Sequence, residues 1–388
     1  MVQPTDMRTV DAAGLKIGDD HPPRIMGVLN VSKESPYKPS VFNDPSEAAE
    51  YVDSELIDEG ADIVDVGLES ANKRLDVLSA EDELERLDTA LSVLDHVSGD
   101  AVFSIETRYH EVAEAALEQG FDMVNDICGF ADPEMPRVCE EFDAAVAKMA
   151  SPPDLTCPGA IEEVDDIYDA LERNGFTDKT IVDPAFGGWS EAKTLEHDRE
   201  TFDRLREFRG YGYPILVSIN RKNFLRDVAG RSTEDALPVS LAATSMAVER
   251  GAHIIRTHDV RETRDAALIG HEFKRRRVRE PGDVSVEELD VTTPREAARH
   301  LDRIGANRDF ATESVTRVFE LEGLSADDRE ELAAAAADAG AVLAGGDTGS
   351  TGALLIGTPA ALDRLEHVVA DASPALEAAL ETMTQTVN

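Results

Sequence analysis

Positive charge is scarce in this chain: 38 Lys and Arg stand against 79 Asp and Glu over 388 residues, a formal net charge of -41. A field of that sign repels nucleic acid and anionic membrane surfaces, so neither is expected as a partner and any basic site must be local. Cysteine is nearly absent. Cys128, Cys139 and Cys157 are odd in number and lack CxxC spacing, which excludes a disulfide framework and leaves no zinc-site pattern. No apolar run is long enough to cross a bilayer, and the start MVQPTDMRTVDAAG has no basic segment followed by an apolar one. A soluble cytoplasmic protein is the expectation.

What the chain has in quantity is acidic helix surface. SAEDELERLDTAL and EEVDDIYDALERNG scatter their carboxylates through helical patterns, with no single acidic tail, as a folded protein with a charged surface would. Lys is sparse beside Arg, and a global acidic surface is one of the means by which proteins adapt to concentrated salt. A high-salt cytoplasm is therefore expected.

From residue 24 one unit recurs: a short apolar run, a polar residue at its end, then an amphipathic helix. The runs are RIMGVLN (24–30), ADIVDVG (61–67), AVFSIE (101–106), FDMVND (121–126), AAVAKM (144–149), KTIVDP (179–184), YPILVSI (213–219) and AHIIRTH (252–258). Parallel neighbours need a crossover that a helix supplies, and eight such units predict a (β/α)8 TIM barrel over residues 24–273. The rival, an open doubly wound sheet, lacks its GxGxxG fingerprint after the first strand. Residues 1–23 read as an N-terminal extension, and the basic, Pro-Gly-containing stretch 274–283 as a linker. Residues 284–388 read as a smaller C-terminal α/β domain, split βαβ-like, with AGGDTGSTG (344–352) as a hairpin or flexible turn rather than a phosphate loop.

In such a barrel chemistry gathers at the carboxyl ends of the strands. Here they carry Asn30, Asp65, Glu106, Asn125, Lys148 or Met149, Asp183, Lys222, and the pair Arg256 and His258. In GAHIIRTHDV (251–260) strand alternation points Arg256 and His258 the same way, two cationic donors suited to an anion. Glu106, Asn125 and Asp183 form a second, acid and amide set that suits an amino-heterocycle presenting adjacent N–H donors. Lys222, with Arg74 as a further candidate, joins the cationic set that suits phosphate oxygens. Taken singly, Asp183 reads equally as a helix cap and Lys222 as a solvent-facing lysine. Asp126 and Ser70 read as caps as readily as functional groups.

The segments IMGVLNVS, GADIVDVGLES, SIETRYHEVAEAALEQGFDMVNDICGF, IVDPAFG, PILVSINRKNF and RTHDVRET, in order over about residues 24–270, resemble the pterin-binding family and, within it, the dihydropteroate synthases. The resemblance implies a transferase of folate biosynthesis that joins p-aminobenzoate to 6-hydroxymethyl-7,8-dihydropterin pyrophosphate and releases pyrophosphate. It implies Mg²⁺ with the pyrophosphate at Asn30. Glu106, Asn125, Asp183 and Lys222 would line the pterin pocket, Met149 would pack on the ring, and Arg256 and His258 would hold the pyrophosphate. Arg256, His258 and Lys222 are thereby the expected catalytic groups, no protein nucleophile is required, and a homodimer through barrel helices is the possible assembly.

The departures fall more heavily on the p-aminobenzoate site than on the pterin and anion sites. Glu106 stands where the family usually has Asp; GLESANKR places Ala71, Asn72 and Lys73 in a loop where Thr, Arg and Pro are usual, with Arg74 as the substitute cation. AFGGWSEAK puts Gly188 in place of an aromatic, and Asn223 follows the lysine in place of Ser. The amine is therefore open between p-aminobenzoate and a larger arylamine such as the ribofuranosyl-aminobenzene phosphate of methanopterin synthesis. A folate-binding barrel that serves a corrinoid partner, and a barrel retained only as scaffold, are further alternatives.

Overall fold

Strand-forming apolar runs that alternate with helices leave each strand needing a parallel neighbour, and here the series closes on itself. The computed structural model describes residues 7–31, 44–69, 77–187, 192–280, 286–345, 352–368 and 373–387. A short antiparallel pair, β1 (Val10–Ala12) and β2 (Leu15–Ile17), precedes the eight runs. These become β3 (Arg24–Asn30), β4 (Ile63–Gly67), β5 (Val102–Thr107), β6 (Met123–Asp126), β7 (Ala145–Met149), β8 (Thr180–Asp183), β9 (Leu216–Val217) and β10 (Ile254–Thr257). Their order in the sheet is β8-β7-β6-β5-β4-β3-β10-β9, all parallel, and a parallel bridge between Val182 and Ile215 joins β8 to the entry of β9. The expected TIM barrel is thus complete.

The crossovers are α1 (Pro45–Tyr51), α2 (Ala80–Leu94), α3 (His110–Glu118), α4 (Met135–Glu141), α5 (Val164–Glu172), α6 (Leu195–Asp203), α7 (Asn223–Ala229) and α8 (Leu237–Glu249), with α9 (Val260–Glu272) after the last strand. Ser79 and Thr194 cap α2 and α6 through capping boxes, so the acidic first turn of α2 meets the positive end of the helix dipole. Outward strand residues such as Ile25, Val64, Ile105, Val124 and Val182 pack with helix residues including Leu56, Leu87, Val112 and Ile167 in one core. Inward residues Met26, Ile63, Val102, Met123, Ala145, Ile181, Leu216 and Ile254 form a second core, into which the β1–β2 pair inserts Val10, Ala12 and Ile17. One mouth of the barrel is thereby plugged.

The contacts divide the chain into Met1–Glu287 and Glu288–Asn388. β11 (Arg279–Glu280), within the stretch read as a linker, pairs with β12 (Val286–Glu287), just beyond it. The second unit holds α10 (Pro294–Arg303), β13 (Arg317–Glu322), α11 (Ala326–Ala339), β14 (Val342–Gly345), β15 (Gly352–Gly357), α12 (Pro359–Val368) and α13 (Pro374–Val387). β15 lies between β13 and β14 and is antiparallel to both, which makes β13-α11-β14 a split βαβ unit and joins β14 to β15 as a hairpin. Helix α13, which the sequence reading did not anticipate, adds Leu376, Leu380 and Met383 to this unit's core. Among the described residues no helix is long and apolar enough to cross a membrane.

Candidate active site

Strand alternation explains why the barrel interior turns polar at one end. On β4 the inward series runs Ile63, Asp65, Gly67; on β5 it runs Val102, Ser104, Glu106; on β10 it runs Ile254 and Arg256. Register then aligns Asn30 with Gly67, Gly67 with Glu106, Glu106 with Asn125, and Met149 with Asp183. Five of the residues singled out from sequence therefore reach one mouth.

The guanidinium of Arg256 lies among carboxylates. Its Nε donates to Asp65 Oδ2 at 2.7 Å and its Nη2 to Glu106 Oε2 at 2.6 Å, while Asn125 Nδ2 donates to the same Asp65 oxygen at 2.9 Å. Sequence reading placed Asp65 at a strand end without giving it a role, and it is the residue that orients Arg256. The available signal was its inward position two residues before Gly67. Burial opposes the charge on Arg256, but Glu106 and Asp65 outweigh it and raise the pKa further. Burial also pushes the Glu106 carboxyl up, with Arg256 opposing and Asp65 adding to the rise. One cation thus holds two carboxylates that would otherwise repel each other.

Gly67 leaves room where oxygens converge: a Cβ there would stand 3.3 Å from Asn30 Oδ1 and 3.6 Å from Glu106 Oε1. Asp65 Oδ1 and Ser104 Oγ, cross-strand neighbours in the interior, are buried with no hydrogen-bond partner among the described residues. Such a set of hard oxygen donors fits Mg²⁺ and is a poor set for a soft metal.

Asp183 sits on the far side of the mouth, where its Oδ1 accepts the Ala185 N–H at 2.8 Å. Burial raises its pKa to about 6, against the pull of that N–H, Lys222, Arg256 and Lys193. Lys222 begins α7 without being swept into solvent: a Cβ on Gly187, whose φ is 84°, would meet its Nζ at 3.1 Å. Burial lowers the Lys222 pKa, and Arg256 and Lys193 lower it further against Asp198 and Asp183. Asp198 and Lys193, both buried and neither picked out from sequence, organise this side. Asp198 accepts the Gly187 N–H at 3.0 Å, and Lys193 Nζ donates to the Ala185 carbonyl at 2.6 Å. Helix α6, beyond the glycine loop in the chain, carries one of them.

One expectation changes, and one alternative is resolved. His258, read as the second cation, is a neutral imidazole: burial and then Arg256 lower its pKa to about 3, with Lys222 and Arg221 adding to the effect against Asp259. Lys148 faces outward, where its Nζ donates to the carbonyls of Arg173 and Gly175 at 2.6 Å each and lies over the Phe130 ring at 4.4 Å. Met149, its neighbour, takes the inward place and packs near Gly159, where a Cβ would be 3.6 Å from the Met149 methyl. Asp126 is a loop-former whose carboxylate accepts the N–H groups of Cys128, Gly129 and Phe130. Arg74 and Ser70 lie outside the described residues.

Behind Glu106, Arg108 is fully buried; it donates to Glu69 and, at 2.6 Å, to the Leu155 carbonyl, tying the loops after β4 and β7 to β5. The second oxygen of Glu69 accepts the Leu78 N–H at 2.9 Å. Cys128 is buried and its thiol pKa is pushed up by burial and Asp126, the opposite of what a nucleophile needs.

Comparison with known proteins gives a consistent picture. A probable bifunctional folylpolyglutamate synthase/dihydropteroate synthase of Halobacterium salinarum is 34% identical over 258 residues, 63% of this chain but only 31% of that relative, so the match spans about a third of the relative's length. A dihydropteroate synthase of Clostridium beijerinckii is 31% identical over 252 residues, covering 63% of this chain and 92% of the relative. The crystal structure of dihydropteroate synthase from Thermus thermophilus in complex with 4-aminobenzoate superposes with a TM-score of 0.56 at 29% identity, covering 69% of this chain and all of that one. The family model for pterin binding enzymes matches residues 26–258, more than half of the sequence, from within β3 to just past β10. By that match this chain belongs to the pterin binding enzyme family.

Proposed function

We propose that the protein is a dihydropteroate synthase, a transferase that moves the pterinylmethyl group of 6-hydroxymethyl-7,8-dihydropterin pyrophosphate to p-aminobenzoate. The observation that carries this reading is the meeting, in one barrel mouth, of Asp183 and Asn125 with Lys222, Arg256 and His258. Asp183, ionised above about pH 6, accepts the paired N–H donors of the pterin, and Asn125 complements them. Met149 packs against the ring. Arg256, Lys222 and the neutral His258, as a hydrogen-bond donor, stabilise charge on the departing pyrophosphate, and Glu106 with Asp65 keeps Arg256 in place. Mg²⁺, held by Asn30 beside the Asp65 and Glu106 oxygens, would offset the pyrophosphate charge when bound.

Asp183 also stabilises positive charge that develops on the pterin as the methylene carbon loses its leaving group. The arylamine nitrogen then attacks that carbon and sheds a proton. Buried Cys128 takes no part. The Thermus relative holds 4-aminobenzoate, which supports that amine; Ala71, Asn72, Lys73 and Gly188 favour, as a second reading, a larger arylamine. Exposed Met246, Leu268 and Ile269 on α8 and α9 support a homodimer through these helices, and a net charge of -41 supports a high-salt cytoplasm.

The test is pyrophosphate release in molar KCl with Mg²⁺ from the dihydropterin pyrophosphate, with and without p-aminobenzoate. Release that depends on p-aminobenzoate and yields dihydropteroate is expected. Tight binding of the pterin pyrophosphate without turnover would transfer the reading to another arylamine, and no binding would overturn it.

A further inference from the structure

Lys222 and His258 belong to adjacent strand ends, yet the backbone does little to align them. The ladder between β9 and β10 consists of Leu216 opposite Ile254 and Val217 opposite Ile255, and it ends there. Beyond it the segments after β9 and β10 are joined by side chains. The His258 N–H donates to Asn220 Oδ1 at 3.4 Å, and Asn220 Nδ2 donates to Asp259 Oδ2 at 2.8 Å. Arg221 then forks onto the same carboxylate, with Nε to Oδ2 at 2.9 Å and Nη2 to Oδ1 at 2.8 Å.

The remaining donors of Arg221 reach the next element. Nη1 donates to the carbonyls of Thr233 at 2.8 Å and Glu234 at 2.9 Å, and the backbone N–H of Arg221 donates to Ser240 Oγ of α8 at 2.8 Å. The ion pair is largely buried, with side-chain exposures of 15% for Arg221 and 13% for Asp259. Arg221 holds a φ of 54°, a left-handed conformation that a non-glycine residue adopts only when its surroundings impose it. A strained backbone beside a bidentate pair, directly before one candidate catalytic residue and directly after another, is costly if its purpose is only to join two loops.

We infer that Arg221 is a positioning residue: by clasping Asp259 it sets Lys222 against His258 at the anion-binding side of the mouth. The inference rests on the reading of those two residues given under the proposed function. It goes further in assigning their mutual geometry to a pair that contacts no substrate. Lysine in its place keeps the charge but cannot fork onto both carboxylate oxygens while holding two carbonyls.

The test compares Arg221→Gly with Arg221→Ala, Arg221→Lys and Asp259→Asn. Glycine adopts the left-handed backbone freely, so Arg221→Gly removes the clasp without the strain that Arg221→Ala retains and should melt at or above the alanine variant. Both are expected to lose about 100-fold in kcat, the scale of a misplacement of about 1 Å, and about tenfold in affinity for inorganic pyrophosphate by calorimetry. Affinity for 6-hydroxymethylpterin, held by Asp183 and Asn125 as well as by Lys222, should fall clearly less than that for pyrophosphate, a split that a general loss of structure would not produce. Arg221→Lys should fall between, and Arg221→Gly combined with Asp259→Asn should be no worse than either alone.

Wild-type kcat and pyrophosphate affinity in Arg221→Gly would overturn the inference, as would equal losses for pyrophosphate and pterin. If the wild-type protein binds pyrophosphate but makes no dihydropteroate, the proposed amine fails while the pyrophosphate comparison still judges Arg221. A wild-type protein that binds no pyrophosphate overturns both.

Discussion

The barrel has a buried ion cluster near each end, and they are built in opposite ways. At the plugged mouth one carboxylate, Asp19, accepts from Arg209 at 3.1 and 2.7 Å and from His253 Nε2 at 3.0 Å, and it pairs with Arg277 at 3.1 Å. Ile215 N–H donates to His253 Nδ1, which leaves the ring proton on Nε2, facing Asp19. Burial alone would raise the Asp19 pKa, but His253 and Arg209 outweigh it and hold the carboxyl far below its usual range. At the open mouth Arg256 is stabilised, but Asp183 and Glu106 are raised and Lys222 and His258 are lowered, each chiefly by burial. A cluster that completes its own charge stabilises a fold. Burial lowers His253 and Lys274 at the plugged mouth as well, so the contrast lies in the carboxylates: Asp19 is held ionised, while Asp183 and Glu106 are raised, as groups at functional sites often are.

The largest effect should come from breaking the completed cluster. Asp19→Asn leaves buried cations without their counter-charge and is expected to cost about 3–5 kcal/mol of stability in a denaturant titration, with kcat per folded molecule unchanged. A stable variant with lost kcat would reverse the roles assigned to the two mouths. Asp183→Asn should do the opposite: pterin affinity falls by about 1.5–3 kcal/mol, the worth of a hydrogen bond to a charged group, while stability at neutral pH is maintained or improved. Pyrophosphate binding should be largely intact in this variant. His258→Ala should instead weaken pyrophosphate and spare pterin; equal, small effects of both would undo the two-site assignment.

The pH dependence sharpens the same contrast. The folded pKa of Asp183 is raised from 3.8 to about 6, so between those values the folded state holds a proton that the unfolded chain has released. Its contribution to stability therefore declines as pH rises through that window and is constant above it, and Asp183→Asn should remove this component. Pterin binding runs the other way. It should weaken about tenfold per pH unit below about 6 and level off above, and a flat profile would remove Asp183 from the pterin site. The smallest effect belongs to Cys128→Ala, which should leave kcat unchanged because the raised thiol pKa keeps it protonated.

The strands were legible because period and composition changed together at each run, and the site's face was legible because a barrel gathers its chemistry at the carboxyl ends of its strands. Met149 against Lys148 was not settled by composition; the barrel decides it by turning Met149 inward and placing Lys148 over Phe130. The partners of the site residues were less legible still. Arg256 meets Asp65 and Glu106 across 191 and 150 residues of sequence, and Gly187 meets Asp198 through a helix whose sequence reads as ordinary acidic surface. The β1–β2 plug was missed for a different reason: two three-residue strands carry too few alternating positions to stand out.

By itself, the sequence determined the alternation of strand and helix, the carboxyl strand ends as the place of the site, and the acidic surface, since these follow from side-chain order and local periodicity. Only the tertiary structure decided the ionisation of the site, because burial and the distances among Arg256, Asp65, Glu106, Lys222 and His258 exist only once the barrel closes. The neutral His258 is the clearest case. Its sequence context offers an aspartate that would favour the charged ring, and it is burial on closure of the barrel, with Arg256 adding to it, that reverses the balance.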